Sequence, residues 1–299
     1  MTAETARQGR VVAAHGRHYR VQLESGELRH CYTRGKKAGP AVGDQVRILP
    51  EGRDEGVITE ILPRRNLLYR SDASKSKQFA ANLDQLLLIV AAEPEFSADL
   101  MGRALVAAGS VDIPVRIVLN KTDLPSIDSA RSRLRPIAEL GIPIVELCAL
   151  DAAQTQARLG DWLQGRSTLL LGQSGMGKST LLNALVPQAR AATQAHSEAL
   201  GTGRHTTTQT RLYDLPGGGD LIDSPGFQAF GLQHLTQHEI EQGFPEFTPA
   251  IPHCRFYNCT HLHEPGCGVL AAMARGEITA ERHALYQRIL AENDAARKW

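Results

Sequence analysis

Near the middle of the chain, a glycine-rich segment has the residue types and spacing of a phosphate-binding loop. It lies between two apolar stretches, 167–171 and 180–186, and comprises Gly172, Gln173, Ser174, Gly175, Met176, Gly177, Lys178 and Ser179. The flanks predict a buried strand before the loop and a helix, starting at Thr180, after it. In that context, backbone N–H groups and the helix N-terminus surround phosphate oxygens. A glycine turn without a ligand is the alternative, but the eight matched positions favour a nucleoside triphosphate site.

Two side chains of this loop have predicted contacts of their own. Lys178 would reach the β- and γ-phosphates, and the Ser179 hydroxyl would ligate Mg²⁺. We expect the whole segment 172–180 to contact the nucleotide, with magnesium bound alongside it.

A second motif, Asn120-Lys121-Thr122-Asp123, follows the apolar run 115–119. A carboxylate at this place accepts hydrogen bonds from two donors of guanine that adenine does not offer as a pair, so Asp123 predicts selection of GTP. After the next apolar run come Cys148 and Ala149, where GTPases usually carry Ser-Ala-Lys and a backbone N–H contacts guanine O6. Core packing is an adequate alternative role for the Cys148 side chain.

A polar stretch, residues 191–209, follows the predicted phosphate-loop helix. A loop of this length without its own pattern is usually functional or mobile. We expect Thr206 or Thr207 to complete the Mg²⁺ shell when the γ-phosphate is present, as in switch loops. His205 is our candidate for positioning the attacking water.

The apolar run 220–222 leads into Asp223-Ser224-Pro225-Gly226. Asp223 would hold Mg²⁺ or its water, and the Gly226 N–H would meet the γ-phosphate. Phe227 stands where many GTPases have a water-orienting glutamine, and a phenyl ring cannot orient water. We therefore predict slow intrinsic hydrolysis, with a catalytic set of Lys178, Ser179, His205, Asp223 and Gly226.

Near the C-terminus, three of the five cysteines and one histidine follow the spacing Cys-x4-Cys-x-His-x5-Cys: Cys254, Cys259, His261 and Cys267. Three thiolates and an imidazole make a closed tetrahedral site, which predicts one structural zinc rather than a catalytic metal. We expect His253 and His263 to be surface residues. Between the ligands, Arg255, Phe256 and Tyr257 would either stack on RNA bases or pack on the following helices, and the residues leave both open.

Length and composition suit a protein of about two domains with room for a third module, since the 299 residues are 42% hydrophobic and 22% charged. The longest apolar run, 86–92, is too short to cross a bilayer, and the N-terminus lacks the apolar segment of a signal peptide. We expect a cytoplasmic protein without a membrane partner.

The N-terminal segment 8–62 contains several short strand candidates separated by turn signals, which suits a small β-barrel such as an OB-fold. Residues 1–80 carry 15 Lys/Arg against nine Asp/Glu. This balance favours a nucleic acid as a partner over a barrel that merely packs on its neighbour. The residues expected on its RNA-binding surface are Arg17, His18, Tyr19, Arg20, Arg34, Lys36 and Lys37.

Residues 64–80 are polar and are predicted to form a linker. After them, apolar segments typical of strands alternate with segments of helical periodicity, which predicts an α/β domain with a mostly parallel sheet. Its GTPase motifs stand in an unusual order, because Asn-Lys-x-Asp precedes the phosphate loop, and this predicts a circular permutation. We divide the chain into an OB-fold domain, 1–64, a permuted P-loop GTPase domain, 65–232, and a helical zinc-binding domain, 233–299.

The combination of a basic barrel, permuted GTPase motifs and the Cys/His spacing closely resembles the RsgA (YjeQ) family of bacterial ribosome small subunit-dependent GTPases, over nearly the whole chain. The resemblance implies binding to the 30S subunit and its rRNA, and hydrolysis of GTP to GDP that the subunit stimulates. It also implies a role in late 30S maturation, with release of other assembly factors. A first-switch histidine implicated in hydrolysis corresponds to His205. We expect a monomer.

Two other functions remain open on the residues. Because of Phe227, the protein could instead be an RNA-binding scaffold that is gated by a guanine nucleotide and has only vestigial hydrolysis. An ATP-dependent enzyme would require Asp123 to be only a helix cap.

Overall fold

Five strands at the N-terminus close into a barrel. The structure is a computed structural model, and it describes residues 5–35, 39–71, 76–187, 189, 209–224 and 231–297. The strands are β1 (Arg7–His15), β2 (His18–Leu23), β3 (Leu28–Thr33), β4 (Gln45–Glu51) and β5 (Glu55–Ile61). They pair in the order β1-β2-β3-β5-β4, and β4 pairs back onto β1. The barrel is filled because alternate residues point inward: in β2 these are Tyr19, Val21 and Leu23. The predicted OB-fold is confirmed.

The segment 64–80 is not the linker that its polar composition predicted. It contains an antiparallel hairpin of β6 (Leu67–Ser71) and β7 (Ser76–Ala81). Leu68 and Phe79 are each only 1% exposed, so they anchor the hairpin in the core. Each strand is short and the hairpin spans few apolar positions, which is why the sequence offered no clear period-2 pattern.

A second set of strands forms the sheet of the GTPase domain, in the order β10-β9-β8-β11-β13-β12. The strands are β8 (Gln85–Ala91), β9 (Val115–Asn120), β10 (Ile144–Glu146), β11 (Ser167–Gly172), β12 (Thr210–Asp214) and β13 (Asp220–Asp223). Every neighbouring pair is parallel except β12 with β13. All residues of β8 and β11 are buried, as expected for central strands of a parallel sheet.

Four helices connect these strands: α1 (Ala98–Gly109), α2 (Ile127–Glu139), α3 (Ala152–Leu163) and α4 (Lys178–Leu185). Ser97 and Asp151 cap α1 and α3 by accepting from backbone N–H groups of the first turn. The phosphate-loop strand β11 lies in the middle of the sheet although β8 to β10 precede it in the chain. The domain is therefore a circularly permuted P-loop fold.

The barrel and the GTPase domain share one continuous sheet, because β1 pairs with β12 through Ala13 opposite Arg211 and Ala14 opposite Thr210. Next to this seam, the Arg10 guanidinium donates to Asp220 at 2.6 Å and to the Ser167 hydroxyl at 3.0 Å. Backbone pairing and a charged contact thus join the two domains.

The C-terminal part is helical, with α5 (Gln237–Gln242), α6 (Gly268–Ala274) and α7 (Ala280–Arg297). The predicted capping box of Thr236 and Glu239 is present at the start of α5. Phe244, Phe247 and Tyr286 form its aromatic core, with ring centroids 5.0–5.5 Å apart. None of the helices in the described part of the chain combines the length and apolarity that a bilayer-spanning segment needs.

We predict that Gly243→Ala destabilises the protein by about 1–3 kcal/mol, the usual cost of overpacking. A Cβ at Gly243 would lie 2.3 Å from the Cα of Val106, so α1 would have to move. Gly160→Ala in α3 is the matched control, because its Cβ meets open space; the added helix propensity should stabilise by about 0.5–1 kcal/mol. Urea unfolding midpoints measure both changes, and equal shifts would contradict the close packing of α1 on residue 243.

Candidate nucleotide site and metal centre

The predicted phosphate-contacting residues, 172–180, lie between the end of β11 and the first turn of α4. Gly175 and Gly177 have φ angles of +83° and +88°, which L side chains rarely adopt. A Cβ at Gly177 would lie 2.2 Å from Asn120 Nδ2, and one at Gly175 would lie 2.9 Å from Pro94. Both glycines are therefore required by conformation and by space, and the loop can bend its N–H groups toward a phosphate.

One buried side chain, Asn120, brings the three nucleotide motifs together. It is 2% exposed, and its Nδ2 donates to the Met176 carbonyl at 2.9 Å. Its Oδ1 accepts from the Ala149 N–H, also at 2.9 Å. The Asn-Lys-x-Asp motif thus fixes the phosphate loop on one side and the 148–149 loop on the other.

The residues expected to contact guanine are arranged at the ends of β9 and β10. The Asp123 carboxylate is exposed and, among the described residues, has no hydrogen bond or ion pair of its own. The Cys148 N–H donates to Gln154 Oε1 at 3.1 Å, while the Ala149 N–H is taken by Asn120. A contact from either of these N–H groups to guanine O6 would need that donor to be shared. The Asp123 carboxylate, in contrast, can accept hydrogen bonds from a guanine base without giving up a partner among the described residues.

The phosphate lysine and the second-switch aspartate face each other across the site. Lys178 Nζ forms an ion pair with the Asp223 carboxylate, which is almost fully buried at the end of β13. Ser179 is exposed at the start of α4. A hydroxyl and a carboxylate at the mouth of a phosphate loop are oxygen ligands of the kind Mg²⁺ prefers, so these residues fit a magnesium-bound nucleotide.

Several predicted residues lie outside the described part of the chain. These are His205, Thr206, Thr207, Gly226 and Phe227 in the two switch segments, and Lys36 and Lys37 in the barrel. Their roles stay predictions.

The loop after β8 is a part of the site that the sequence did not reveal. Its Glu93 carbonyl accepts from Lys121 Nζ at 2.6 Å, and its Ser97 N–H donates to Gln173 Oε1 at 2.6 Å. It therefore braces both the guanine motif and the phosphate loop. Its position after a central parallel strand was the one available signal, since ligand sites lie at the carboxyl ends of such strands.

The four predicted metal ligands, Cys254, Cys259, His261 and Cys267, converge in the C-terminal part. Their ligand atoms all lie within 4.8 Å of one another, and three of the four residues are buried. His261 Nδ1 is 3.5 Å from Cys254 Sγ and 3.4 Å from Cys267 Sγ, and these two sulfurs are 4.0 Å apart. A tetrahedral zinc with bonds of about 2.3 Å to sulfur and 2.0 Å to nitrogen needs edges of about 3.5–3.8 Å. The donor set fits zinc.

Contacts around the cluster hold the ligands in place. The other ring nitrogen of His261, Nε2, faces Glu241 at 3.5 Å, which orients the imidazole toward the thiols. Glu264 accepts from Thr260 and from the N–H groups of Leu262 and His263. Burial opposes ionisation of Glu264, but these hydrogen bonds outweigh it and lower its pKa to about 2. The loop is thus tied by a carboxylate that stays charged at neutral pH.

Two expectations about surfaces have different outcomes. The prediction that Tyr19 lies on the RNA-binding face is wrong. Its side chain is 5% exposed, because it alternates with Arg20 along the strand and points into the barrel. Burial also raises the pKa of its hydroxyl. In the metal loop, Tyr257 is fully exposed and Phe256 is 40% exposed. Neither ring is buried against the helices that follow.

The comparisons with known proteins agree with this geometry. The RsgA GTPase family model matches residues 61–233, more than half of the chain. The chain belongs to the RsgA GTPase family. A relative from Bordetella pertussis, named "Small ribosomal subunit biogenesis GTPase RsgA", is 65% identical over 294 residues, which cover 98% of each chain.

Two solved structures are also similar to this chain. YjeQ from Thermotoga maritima has a TM-score of 0.73 and 32% identity, covering 97% of this chain and 99% of that one. YloQ, described as a circularly permuted GTPase, has a TM-score of 0.69 and 28% identity, covering 98% and 97%. The permuted order of the strands is therefore shared with experimentally determined structures.

We predict that His261→Ala abolishes stoichiometric zinc binding, whereas His253→Ala retains it. His261 is one of four converging ligands, and His253 is exposed and outside the cluster. Metal content after dialysis, measured by mass spectrometry, tests both variants. Zinc retained at the level of the parent protein by His261→Ala would contradict the site.

Proposed function

We propose that this GTPase binds the 30S ribosomal subunit and its rRNA and assists the subunit's late maturation in the cytoplasm. It hydrolyses GTP to GDP and phosphate slowly alone and faster on the subunit, and hydrolysis accompanies release of other assembly factors. The observation that carries the GTP part is the Asn120 amide, which joins the phosphate loop to the guanine motif. The names of the relatives, which refer to biogenesis of the small ribosomal subunit, support the proposed role on the 30S subunit.

In this proposal each residue of the site has a defined task. The N–H groups of the loop and Lys178 bind phosphate oxygens, which requires Lys178 to leave the Asp223 carboxylate. Asp123 accepts from guanine, and Ser179 and Asp223, with Thr206 or Thr207, would hold magnesium, which supplies charge neutralisation at the phosphates. His205 positions the attacking water when the protein is bound to the subunit, and the Gly226 N–H meets the γ-phosphate. The metal cluster, as a single structural zinc site, fixes the loop 254–267.

The alternative is a nucleotide-gated RNA-binding scaffold with vestigial hydrolysis. Phe227 at the position of the water-orienting glutamine favours it. In that case GTP would control RNA affinity without turnover.

We predict that isolated 30S subunits stimulate GTP hydrolysis by at least about tenfold and that 50S subunits do not, since contacts with the correct partner would complete the catalytic set around His205. His205→Ala should remove the stimulation while leaving GTP affinity within about twofold, because the residue acts on water rather than on the nucleotide. Single-turnover hydrolysis and equilibrium GTP binding measure the two quantities. Turnover unchanged by 30S would favour the scaffold.

We also predict that Asp123→Asn lowers GTP affinity by roughly 100-fold, since two hydrogen bonds to a charged acceptor, each of about 1.5–3 kcal/mol, are lost or weakened. Xanthosine triphosphate, which carries a carbonyl in place of the exocyclic amine, should bind the variant better than it binds the parent. Asp128→Asn, an exposed position on α2, is the control. Affinities for GTP and ATP that are comparable in the parent protein would contradict guanine selection.

A further inference from the structure

The first helix after the second switch, α5, has residues of the metal cluster next to one of its faces. Gln237 and Glu241 lie four positions apart, so their side chains project from the same face of this helix. Gln237 Nε2 donates to the Cys259 carbonyl at 2.8 Å, and Glu241 Oε1 lies 3.5 Å from His261 Nε2. The helix therefore contacts two of the four predicted metal ligands.

The Glu241 carboxylate has the surroundings of an outer partner of a metal-bound histidine. Its side chain is only 12% exposed, and its Oε1 accepts from Gln237 Nε2 at 2.7 Å and from the Tyr286 hydroxyl at 3.4 Å. The Nδ1 atom of His261 faces the thiols. A neutral imidazole that binds a metal through Nδ1 carries its proton on Nε2, where this carboxylate can accept it. Glu241 thus favours the tautomer that binds a metal.

The position of α5 depends on such contacts. The helix has six residues, and a helix of that length is unstable on its own. The capping box of Thr236 and Glu239 joins it directly to the segment 231–235. Asn293 of α7 donates to two carbonyls of that segment. Whatever fixes α5 therefore also fixes the chain that follows the second switch.

The far end of α5 packs on the GTPase domain. A Cβ at Gly109, the last residue of α1, would lie 2.9 Å from the Cα of Gly243, which follows α5. The other end of α1 lies near the phosphate loop, where the Ser97 N–H donates to Gln173. α5 is thus the element through which a change at the metal centre would reach the GTPase domain.

We propose that zinc binding controls the docking of α5, and with it the position of the segment 231–235, with Glu241 as the positioning residue. When the four ligands share one metal ion, His261 Nε2 and the Cys259 carbonyl face α5 in a single arrangement. Without the metal these two partners are no longer held together, and the face of α5 that carries Gln237 and Glu241 loses its contacts. The inference rests on the proposed function only for zinc as the resident metal.

The first test compares the zinc affinities of Glu241→Gln and Glu239→Gln by competition with a chelator at neutral pH under reducing conditions. Glu241→Gln removes the charge that faces the imidazole and should weaken zinc binding by about tenfold, the effect expected for an outer partner of a metal ligand. Glu239→Gln is the matched control on the same helix. Glutamine still completes a capping box there, so this variant should bind zinc within about twofold of the parent protein.

The second test is hydrogen exchange of the full chain, measured by mass spectrometry with one equivalent of zinc bound. The amides of residues 231–242 should exchange about fivefold faster in Glu241→Gln and in Gln237→Leu than in the parent, since local opening becomes easier when a hydrogen bond is lost. The amides of α7, which carries the fully buried Tyr286, should keep the parent rate. The exchange of α7 reports whether the C-terminal part is folded.

Equal zinc affinities of Glu241→Gln and Glu239→Gln would overturn the proposal, as would unchanged exchange of residues 231–242 in both zinc-loaded variants. Faster exchange of α7 together with α5 would show that these contacts only stabilise the fold, and would overturn it as well. Zinc content is measured on the same samples. A parent protein that holds zinc but gives one of these results refutes only the linkage, whereas a parent without zinc refutes the metal site of the proposed function.

Discussion

The two hydrogen bonds of the Asn120 amide are the constraint on which the nucleotide site depends. This side chain is buried, so each partner that it satisfies would otherwise cost about 1–3 kcal/mol as an unpaired polar group. The partners belong to two different loops, at Met176 and at Ala149. The spacing between the phosphate loop and the loop expected to contact the base is therefore set by one amide. A Cβ at Gly177 would occupy the space that the Asn120 side chain needs.

The permuted chain order leaves this arrangement intact because a sheet is held by lateral pairing, not by the sequence of its strands. What changes is the path of the chain after Asp223. At residue 231 it meets the hairpin, where Ser71 N–H donates to the Gly231 carbonyl and Gln233 N–H donates to Ser71. Asn293 of α7 then donates to the Leu232 carbonyl. The chain that follows the second switch, from residue 231 onward, is thus attached to the hairpin and to the C-terminal helices.

Local patterns predicted much of the fold. The buried runs gave β8, β9 and β11, and the phosphate loop and the metal ligands were readable because their spacing has a chemical meaning. The sequence did not predict β12, which lies beside a long polar stretch, or the orientation of Tyr19, whose aromatic ring suited either face. Contacts such as Arg10 with Asp220, which are 210 positions apart, depend on tertiary docking that no local pattern carries.

The Lys178–Asp223 pair links phosphate binding to cation binding in energetic terms. Asp223 is 3% exposed, and a buried carboxylate that loses its partner is costly. A phosphate that draws Lys178 away leaves Asp223 uncompensated unless a second positive charge arrives. Nucleotide and divalent cation should therefore bind cooperatively, each restoring the charge balance that the other disturbs. Asp223 ends β13 and lies opposite Arg211 in the β12 register, and Arg211 in turn lies opposite Ala13 of the barrel strand β1. The charge balance of the nucleotide site is therefore set next to the strand that joins the GTPase domain to the barrel.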